Sequence, residues 1–450
     1  SKTKGRFHSM DHAVMGMSCY APGDNCTALA WWRSLLQAND AIIDIPKSRF
    51  DAERLDELYV KRGHFLRDVE MFDSVFFGIA AAEAIHMDPH QRLLLEVAFD
   101  AVNKVHNKDT IMGSNMGTFV GMGMSDWGII QREKYALSPY TNHGSDTASA
   151  AGRISFTLGL KGPCFVVNTA CSSSLVALDS AKRAINAQQC LSAVVAGVNL
   201  LLHPHSWQGY CALHALSPDG ICKTYDASAN GFGRAEACGA VLLQGSDSNA
   251  AQQSFPVIQG SAVNQDGRSA NFMAPNGLSQ EALISSALFD GGVQATDVVL
   301  VETHGTGTAL GDPLELKALN KALACEHRHV VLGALKSSVG HPEAAAGIMA
   351  IIKTATMLLQ RLAAPNMHLM ELNPHIKTDG LTENMPQTSQ ELGKESDAGC
   401  ANVSSFGYTG TNAHAALQLR TVNRHRSLAQ KCKCVAFLFT GQGAQYERMG

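Results

Sequence analysis

The 450-residue sequence lacks several features that would assign it to a simple class. Its twelve cysteines include no C-x-x-C pair, and it has neither a long basic run nor an apolar run long and uninterrupted enough to span a bilayer. The net charge of −4 is too close to neutral for a dedicated nucleic-acid binder. We therefore expect no metal site, no nucleic-acid partner and no membrane span. Scattered cysteines indicate a reducing compartment, expected to be the cytoplasm, with an organelle left open.

Strand-like and helix-like patterns alternate through most of the chain. Hydrophobic residues make up 45% of the sequence and charged residues 17%, which is typical of a globular protein. "VVLVETHG" precedes a helix predicted to begin near Asp312, and "HVVLGALKSS" precedes the alanine-rich helix "EAAAGIMAIIKTATMLLQ". This alternation predicts an α/β fold whose strands are mostly buried.

Two segments have a similar order of features. "VVNTACSSSL" and "LGALKSSVGH" both read as a strand, then serines, then the start of a helix, as a fold made of two similar halves would produce. The polar stretch "TDGLTENMPQTSQELGKESDAG" is predicted to be a surface loop. A basic linker follows later, and a new strand and glycine-rich turn begin near the last residues.

Cys171 stands at the turn of "VVNTACSSSLVALDSA", between a short strand and a helix whose apolar positions run from Leu175. We expect a strained elbow that exposes the thiol. A helix N-terminus beside the sulfur is expected to lower the thiol pKa and so favour the nucleophilic thiolate. The alternative is a buried structural thiol, because free cysteine is among the most buried residue types.

Two further motifs place reactive side chains where a strand ends. "ETHGTGTALGDPLE" carries His304, and "LKSSVGHPEAAAG" carries Lys336 and His341. Active sites of open α/β sheets gather beyond the carboxyl ends of strands, so these residues and Cys171 are expected to converge. Two neutral imidazoles could donate hydrogen bonds to a developing enolate oxygen, and positive surroundings would keep His341 neutral. The alternative for each histidine is an ordinary core or surface residue.

The glycine-rich stretch "GTGTALG" invites a dinucleotide-binding interpretation. Its spacing is G-x-G-x-x-x-G, and Asp312-Pro313 interrupts the expected helix start, so this interpretation is weak. Thr306 and Thr308 could instead offer hydroxyls to an amide-rich substrate arm. The glycines of "SSFGYTGTNAH" would let backbone amides approach a reacting carbonyl.

Together these motifs resemble the β-ketoacyl synthase domain of type I polyketide and fatty-acid synthases. The resemblance includes "NTACSSSLVAL", "MDPHQRLLLEVAFDA", "GRISFTLGLKGPC" and "CKTYDASANGFGRAEA", and it covers Ala13 to Leu417 in the expected order. It implies a thiolase-like αβαβα fold of two related halves, usually homodimeric. It also implies decarboxylative Claisen condensation on substrates carried by the phosphopantetheine of an acyl carrier protein, with no cofactor bound by the domain itself.

The resemblance also implies a role for each matching residue. Cys171 would accept the acyl chain as a thioester, and His304 and His341 would bind the malonyl thioester and support loss of carbon dioxide. Lys336, with Glu315 as its partner, would organise the site electrostatically, and Thr306 and Thr308 would hold the pantetheine arm. The backbone amides of Cys171 and Tyr408 would form the oxyanion hole, and Phe406 would lie beside the acyl channel.

The resemblance divides the chain into four segments. We expect a leader over 1–12, a synthase domain over 13–417 with halves of about 13–257 and 258–417, a linker over 418–434, and the start of an acyltransferase domain over 435–450. The expected partners are the acyl carrier protein, the acyltransferase domain of the same polypeptide and a second copy of the chain.

The sequence departs from the family pattern at two positions near the site. Asn168 stands where aspartate is usual, and Tyr408 where phenylalanine is usual, which could alter the acyl gate. Thiolases need a late cysteine that "FGYTGTNAH" lacks, and chalcone-synthase-like enzymes need asparagine where His341 stands. A non-elongating synthase that only passes acyl chains onward stays open. A pure scaffold is a weaker alternative, because all three reactive side chains are present.

Overall fold

The computed structural model describes residues 11–246, 254–323, 328–377, 381–393 and 399–420. The expected leader, apart from its last two residues, lies outside the described residues. So do residues 421–434 of the expected linker and the whole segment predicted to begin an acyltransferase domain.

The described residues form fifteen strands, thirteen α-helices and three short 3-10 segments. The strands are β1 (Asp11–Tyr20), β2 (Ile42–Asp44), β3 (Arg62–His64), β4 (Met116–Met122), β5 (Cys164–Val167), β6 (Ser192–Asn199), β7 (Ala237–Ser246), β8 (Phe255–Gln265), β9 (Val298–Glu302), β10 (Arg328–Gly333), β11 (Leu362–Ala363), β12 (Leu381–Asn384), β13 (Gln390–Glu391), β14 (Cys400–Phe406) and β15 (Thr411–Arg420). The helices are α1 (Ala28–Leu36), α2 (Ala81–Ala84), α3 (Pro89–Asn103), α4 (Lys108–Ile111), α5 (Trp127–Lys134), α6 (Thr141–Ser145), α7 (Ala148–Leu158), α8 (Ser173–Asn186), α9 (Pro204–Ala212), α10 (Gly277–Gly291), α11 (Gly311–Ala322), α12 (Leu335–Val339) and α13 (Ala346–Gln360). The 3-10 segments are Ala52–Arg54, Ala295–Asp297 and Glu343–Ala345.

The main sheet is built from two halves with the same strand pattern. Its order is β12-β10-β9-β14-β15-β8-β1-β7-β6-β4-β5, and β1 and β8 join the halves at the centre. In each half two antiparallel pairings are followed by two parallel ones, and β12 adds a third parallel pairing to one half, so β4, β5 and β6 correspond to β9, β10 and β14. The predicted repeat is confirmed, and β8 begins at Phe255, close to the expected boundary.

Helices α8 and α13 form the middle layer of the fold. Each follows the corresponding strand of its half, and the two helices contact each other and strands of both halves. Apolar residues surround most of α13, and a single core includes Leu178, Ile348 and Ile352 together with residues of the sheet. A helix that is apolar on all sides is stable only when buried on all sides, so the sequence pattern fixes α13 inside the molecule.

The predicted strand-to-helix junctions are confirmed. β5 ends at Val167 before α8, and β9 ends at Glu302 before α11, which begins at Gly311. The prediction that the polar stretch is a surface loop is wrong in part, because the stretch contains β12 and β13. β12 extends the sheet by pairing in parallel with β10, a non-local contact that composition does not encode. None of the helices among the described residues is long and apolar enough to cross a membrane.

Candidate active site

Cys171 lies in the turn between β5 and α8. The preceding residue, Ala170, has φ of +55°, a left-handed conformation that costs a residue with a β-carbon about 1 kcal/mol or more. The predicted strained elbow is therefore present. However, Cys171 is buried, with 9% of its surface exposed, so the expectation that the elbow exposes the thiol is wrong.

The three serines after Cys171 hold the elbow in place. The Ser172 hydroxyl donates to the carbonyl oxygen of Thr411 at 2.8 Å, and Ser174 accepts from the backbone N–H of Ile348 at 3.0 Å. From the other half of the chain, the Ser405 hydroxyl donates to the carbonyl oxygen of Cys171 at 2.7 Å. Both halves therefore fix the position of the sulfur.

His341 is in direct contact with the nucleophile. Its Nε2 lies 3.0 Å from Sγ of Cys171, and its side chain is buried. Burial lowers the pKa of His341 well below the usual histidine value, and the positive charges of Lys336 and Arg234 lower it further. The ring is therefore neutral near pH 7, as the sequence predicts. Its Nδ1 has no hydrogen-bond partner among the described residues, so only the contact with Cys171 bears on the tautomer: a thiol that donates to Nε2 leaves the ring proton on Nδ1.

His304 stands beside His341, with ring centroids 5.6 Å apart and planes nearly perpendicular. Its Nδ1 accepts a hydrogen bond from the backbone N–H of Phe406 at 3.2 Å. Burial, then Lys336 and His341, holds the pKa of His304 well below the usual value. A neutral ring that accepts at Nδ1 carries its proton on Nε2, so His304 offers one N–H donor to the site.

Lys336 and Glu315 bracket the backbone of His304. The Lys336 ammonium donates to the carbonyl oxygen of His304 at 2.5 Å. The Glu315 carboxylate accepts from the N–H of His304 at 2.7 Å and from that of Gly305 at 2.9 Å. Burial lowers the pKa of Lys336, and burial raises that of Glu315 to about 7. The two side chains are linked through the segment that carries His304.

The expected lowering of the Cys171 pKa is wrong. Burial raises the pKa of the thiol to about 12, and the negative charge of Glu343 adds to the increase. Lys336 and the backbone N–H groups of Tyr408 and Cys171 oppose it only in part. The helix N-terminus is present, but removing water from the sulfur is the larger effect. The resting group is therefore a thiol that must lose its proton during reaction.

Two cavities meet at Cys171. One, of about 180 Å³, is lined by Thr306, Thr308, His304, His341 and Phe406, and we call it the threonine cavity. The other, of about 350 Å³, contains Glu343 in its wall and is called the Glu343 cavity. Cys171 and Tyr408 line both, so the sulfur can be approached from two sides.

Tyr408 lies at the turn between β14 and β15. Its backbone N–H and that of Cys171 both lower the pKa of the Cys171 thiol, so both donors lie beside the sulfur. The turn comes this close because Gly407 has no side chain: a β-carbon there would lie 2.4 Å from the carbonyl oxygen of Thr169. The Tyr408 ring is 44% exposed and stands between the two cavities.

The sequence analysis missed an ion pair in the wall of the Glu343 cavity. Arg234 donates from Nε and Nη2 to Oε1 of Glu343 at 2.9 and 2.7 Å, and its guanidinium lies 4.8 Å from the centroid of the Tyr210 ring. The two charged residues stand within the stretches "GRAEAC" and "HPEAAAG". The sequence did offer one indication that Glu343 lies near the site, because it stands two residues after His341.

Family models match most of the described chain, up to residue 370. The β-ketoacyl synthase N-terminal domain matches residues 11–249, and the β-ketoacyl synthase C-terminal domain matches residues 255–370. The chain belongs to the β-ketoacyl synthase family. Ketosynthases of this family are acyltransferases that catalyse Claisen condensation, and the fold and arrangement described above agree with that assignment.

Several curated relatives of this ketosynthase are polyketide synthases. It is 39% identical over 433 residues to a phenolphthiocerol/phthiocerol polyketide synthase of Mycobacterium tuberculosis, covering 92% of this chain and 23% of that protein. It is 37% identical over 425 residues to erythronolide synthase EryA2 of Saccharopolyspora erythraea, and the match covers 90% of this chain and 12% of that protein. The chain thus spans less than a quarter of the length of these relatives.

Solved ketosynthase structures share the fold. A ketosynthase from module 6 of the bacillaene synthase of Bacillus subtilis superposes with a TM-score of 0.85 at 33% identity, covering 92% of this chain and 73% of that one. The oxazolomycin ketosynthase domain OzmH KS7 of Streptomyces albus superposes with a TM-score of 0.84 at 29% identity, and the match covers 94% of this chain and 76% of that one. The predicted thiolase-like fold is confirmed.

Proposed function

We propose that this ketosynthase extends an acyl chain bound to Cys171 by condensing it with a malonyl-type thioester carried on an acyl carrier protein. The observation that carries the proposal is the meeting of two cavities at a cysteine that two neutral histidines accompany. One cavity would hold the acyl chain, and the other would admit the pantetheine arm past Thr306 and Thr308.

The first step is transfer of the acyl chain to the enzyme. Because the resting Cys171 is a thiol, Nε2 of His341, 3.0 Å away, accepts its proton as the sulfur attacks the incoming thioester carbonyl. The backbone N–H groups of Cys171 and Tyr408 stabilise the oxyanion. The pantetheine carbon–sulfur bond then breaks, and its sulfur leaves with the proton that His341 had accepted.

The second step is decarboxylation and carbon–carbon bond formation. The bond between the malonyl α-carbon and its carboxylate breaks, carbon dioxide leaves, and the electron pair forms an enolate. Nε2–H of His304 donates to the enolate oxygen. Once Cys171 is acylated its sulfur no longer carries a proton, so the proton of His341 can exchange from Nδ1 to Nε2 through solvent, and Nε2–H of His341 then donates to the same oxygen. The α-carbon attacks the Cys171 thioester, the carbon–sulfur bond breaks, and the released thiolate takes a proton from solvent. The β-ketoacyl product remains on the carrier.

Three supporting roles complete the proposal. Lys336 and Glu315 hold the His304 backbone from opposite sides, Thr306 and Thr308 line the entry of the pantetheine arm, and Phe406 orients His304 through its backbone N–H. The domain itself needs no cofactor for this chemistry, because the phosphopantetheine arms arrive with the substrates.

We further propose a homodimer. β5 is the edge strand of the main sheet, and Phe165 on it is 44% exposed. Phe156 on the adjacent helix α7 is 86% exposed, so this edge is apolar, and no strand of the described residues pairs with its outer side. Such an edge is normally covered, and pairing with β5 of a second copy would cover it.

The remaining partners follow from the relatives' size. The polyketide synthases that this chain resembles are four or more times longer than the chain itself, which supports a carrier protein and an acyltransferase on the same polypeptide. We propose that residues 13–417 are the synthase domain, 418–434 a linker and 435–450 the first residues of that acyltransferase. All nine cysteines in the described part of the chain are free, which supports a cytoplasmic, reducing location.

Intact-protein mass spectrometry tests the reaction. The protein is incubated with acyl-pantetheine thioesters and then with malonyl-loaded carrier protein, as wild type, Cys171→Ala and His304→Ala. We expect acylation only where Cys171 is present, and extension only where His304 is also present. Cys26→Ala and His375→Ala, at exposed positions, are the matched controls. Acylation without extension in the wild type would establish the non-elongating alternative, and no acylation of a folded protein would refute both.

A further inference from the structure

Tyr210 and Glu343 form an incomplete hydrogen-bonded pair in the wall of the Glu343 cavity. Oε1 of Glu343 accepts two hydrogen bonds from Arg234, whereas within the described part of the chain Oε2 has only a long contact of 3.4 Å with the Tyr210 hydroxyl. Both side chains line the cavity that reaches Cys171. One carboxylate oxygen and one hydroxyl are therefore left with unused hydrogen-bonding capacity facing the same space.

The pair is held rigidly. Arg234 is buried, and it fixes Glu343 through two hydrogen bonds while Nη1 donates to the Ser206 hydroxyl at 3.1 Å. Glu343 has φ of +38°, a conformation that residues with a β-carbon rarely adopt. Strained backbone of this kind is retained where the surroundings enforce it, and it is concentrated at functional sites.

We infer that Tyr210 and Glu343 select acyl chains that carry a hydroxyl group close to the thioester. Two oxygens 3.4 Å apart can both lie about 2.8 Å from a third oxygen placed to one side of the line that joins them, at equal distance from each. A substrate hydroxyl there would donate to Oε2 of Glu343 and accept from the Tyr210 hydroxyl. This inference rests on the proposed function, since it assigns the Glu343 cavity to the acyl chain.

The chemistry of the pair discriminates among chain types. A saturated chain would leave the Glu343 oxygen and the Tyr210 hydroxyl with only their long mutual contact once water is displaced, and poorly paired polar groups out of water cost free energy. A ketone could accept from Tyr210 but offers Glu343 no donor. A cationic group would meet the Arg234 guanidinium, which lies against both residues. The nearby negative charge of Glu343 raises the pKa of Tyr210, so its hydroxyl keeps its proton.

The experiment compares the acylation of Cys171 by hexanoyl, 3-hydroxyhexanoyl and 5-hydroxyhexanoyl pantetheine thioesters, followed by intact mass. For the wild type we expect kcat/KM for one hydroxylated chain to exceed that for hexanoyl about tenfold, as loss of one hydrogen bond to a charged group predicts. Tyr210→Phe should reduce this ratio severalfold. Tyr59→Phe is the matched control, because its hydroxyl bonds to the backbone of Leu216 and the ratio should not change.

Two results would overturn the inference: equal kcat/KM for all three chains in the wild type, or an unchanged ratio in Tyr210→Phe. The comparison of the three thioesters in the wild type needs no variant, so it tests the hydroxyl preference even if Tyr210→Phe does not fold. If no thioester acylates Cys171, the proposed function itself fails. Acylation by hexanoyl without a hydroxyl preference rejects the selection alone.

Discussion

The backbone N–H of Phe406 donates to Nδ1 of His304, with 3.2 Å between the two nitrogens. This hydrogen bond assigns the proton of the neutral ring to Nε2, the atom that the reaction needs as a donor. His304 follows β9, and its orientation is thus fixed by the end of the neighbouring strand, β14. The following predictions test this and related features.

The His304 tautomer can be observed directly. In protein labelled with ¹⁵N-histidine, we expect the His304 signals to show a proton on Nε2 and to remain those of a neutral ring from pH 8 down to pH 6. Burial and Lys336 lower its pKa well below 6.5, so protonation begins only in more acidic solution. A His304→Gln spectrum assigns the signals. A proton on Nδ1, or titration at pH 6.5 or above, would contradict the assignment.

Replacing Lys336 should change the pH dependence of condensation. After burial, the charge of Lys336 is the next cause that lowers the pKa of His304 and His341. In Lys336→Met both pKa values rise, a smaller fraction of each ring is neutral in mild acid, and the acidic limb of the pH–rate profile moves to higher pH. We also expect a roughly tenfold or greater loss of kcat, because the His304 carbonyl loses its donor. Lys336→Arg keeps the positive charge, so its pH–rate profile should shift less than that of Lys336→Met. Identical pH–rate profiles for the wild type and Lys336→Met would show that Lys336 does not set the pKa values of the two histidines.

The elbow that carries Cys171 depends on close packing against β4. A β-carbon at Gly121 would lie 2.3 Å from the backbone nitrogen of Ser174, in the first turn of α8. Gly121→Ala should therefore reduce the free energy of unfolding by about 3 kcal/mol and slow acylation of Cys171, measured by urea denaturation and intact mass. Gly152→Ala, in helix α7 with open space around it, should increase stability by about 0.5–1 kcal/mol. Equal effects of the two substitutions would show that the contact is unimportant.

The exposed edge strand predicts how the chain associates. Phe165→Glu places a charge on β5, which should convert the proposed dimer to a monomer in size-exclusion chromatography with light scattering. Phe289→Glu, on α10 and 88% exposed, is the control and should leave the dimer intact. A wild-type monomer, or a dimer that survives Phe165→Glu, would exclude pairing through β5.

Local patterns predicted the parts of the site that depend on local structure. The junctions at Cys171 and near Asp312 could be located because apolar spacing changes there from strand to helix. The direction of the Cys171 pKa shift could not be predicted, since it depends on how completely both halves bury the sulfur. The Arg234–Glu343 pair and the β10–β12 pairing join residues far apart in the chain, and no local pattern announces such contacts.

Five strands of each half of the sheet correspond, yet the turns that follow corresponding strands carry different chemistry. The turn after β5 holds Cys171, whereas the turn after β10 begins the segment that holds Lys336 and His341. A symmetric pair of identical halves would carry every reactive group twice. Joined in one chain, the halves are free to diverge, so that one supplies the nucleophile and the other supplies the base and the charge. One reaction centre per chain is the result of that division of labour between duplicated folds.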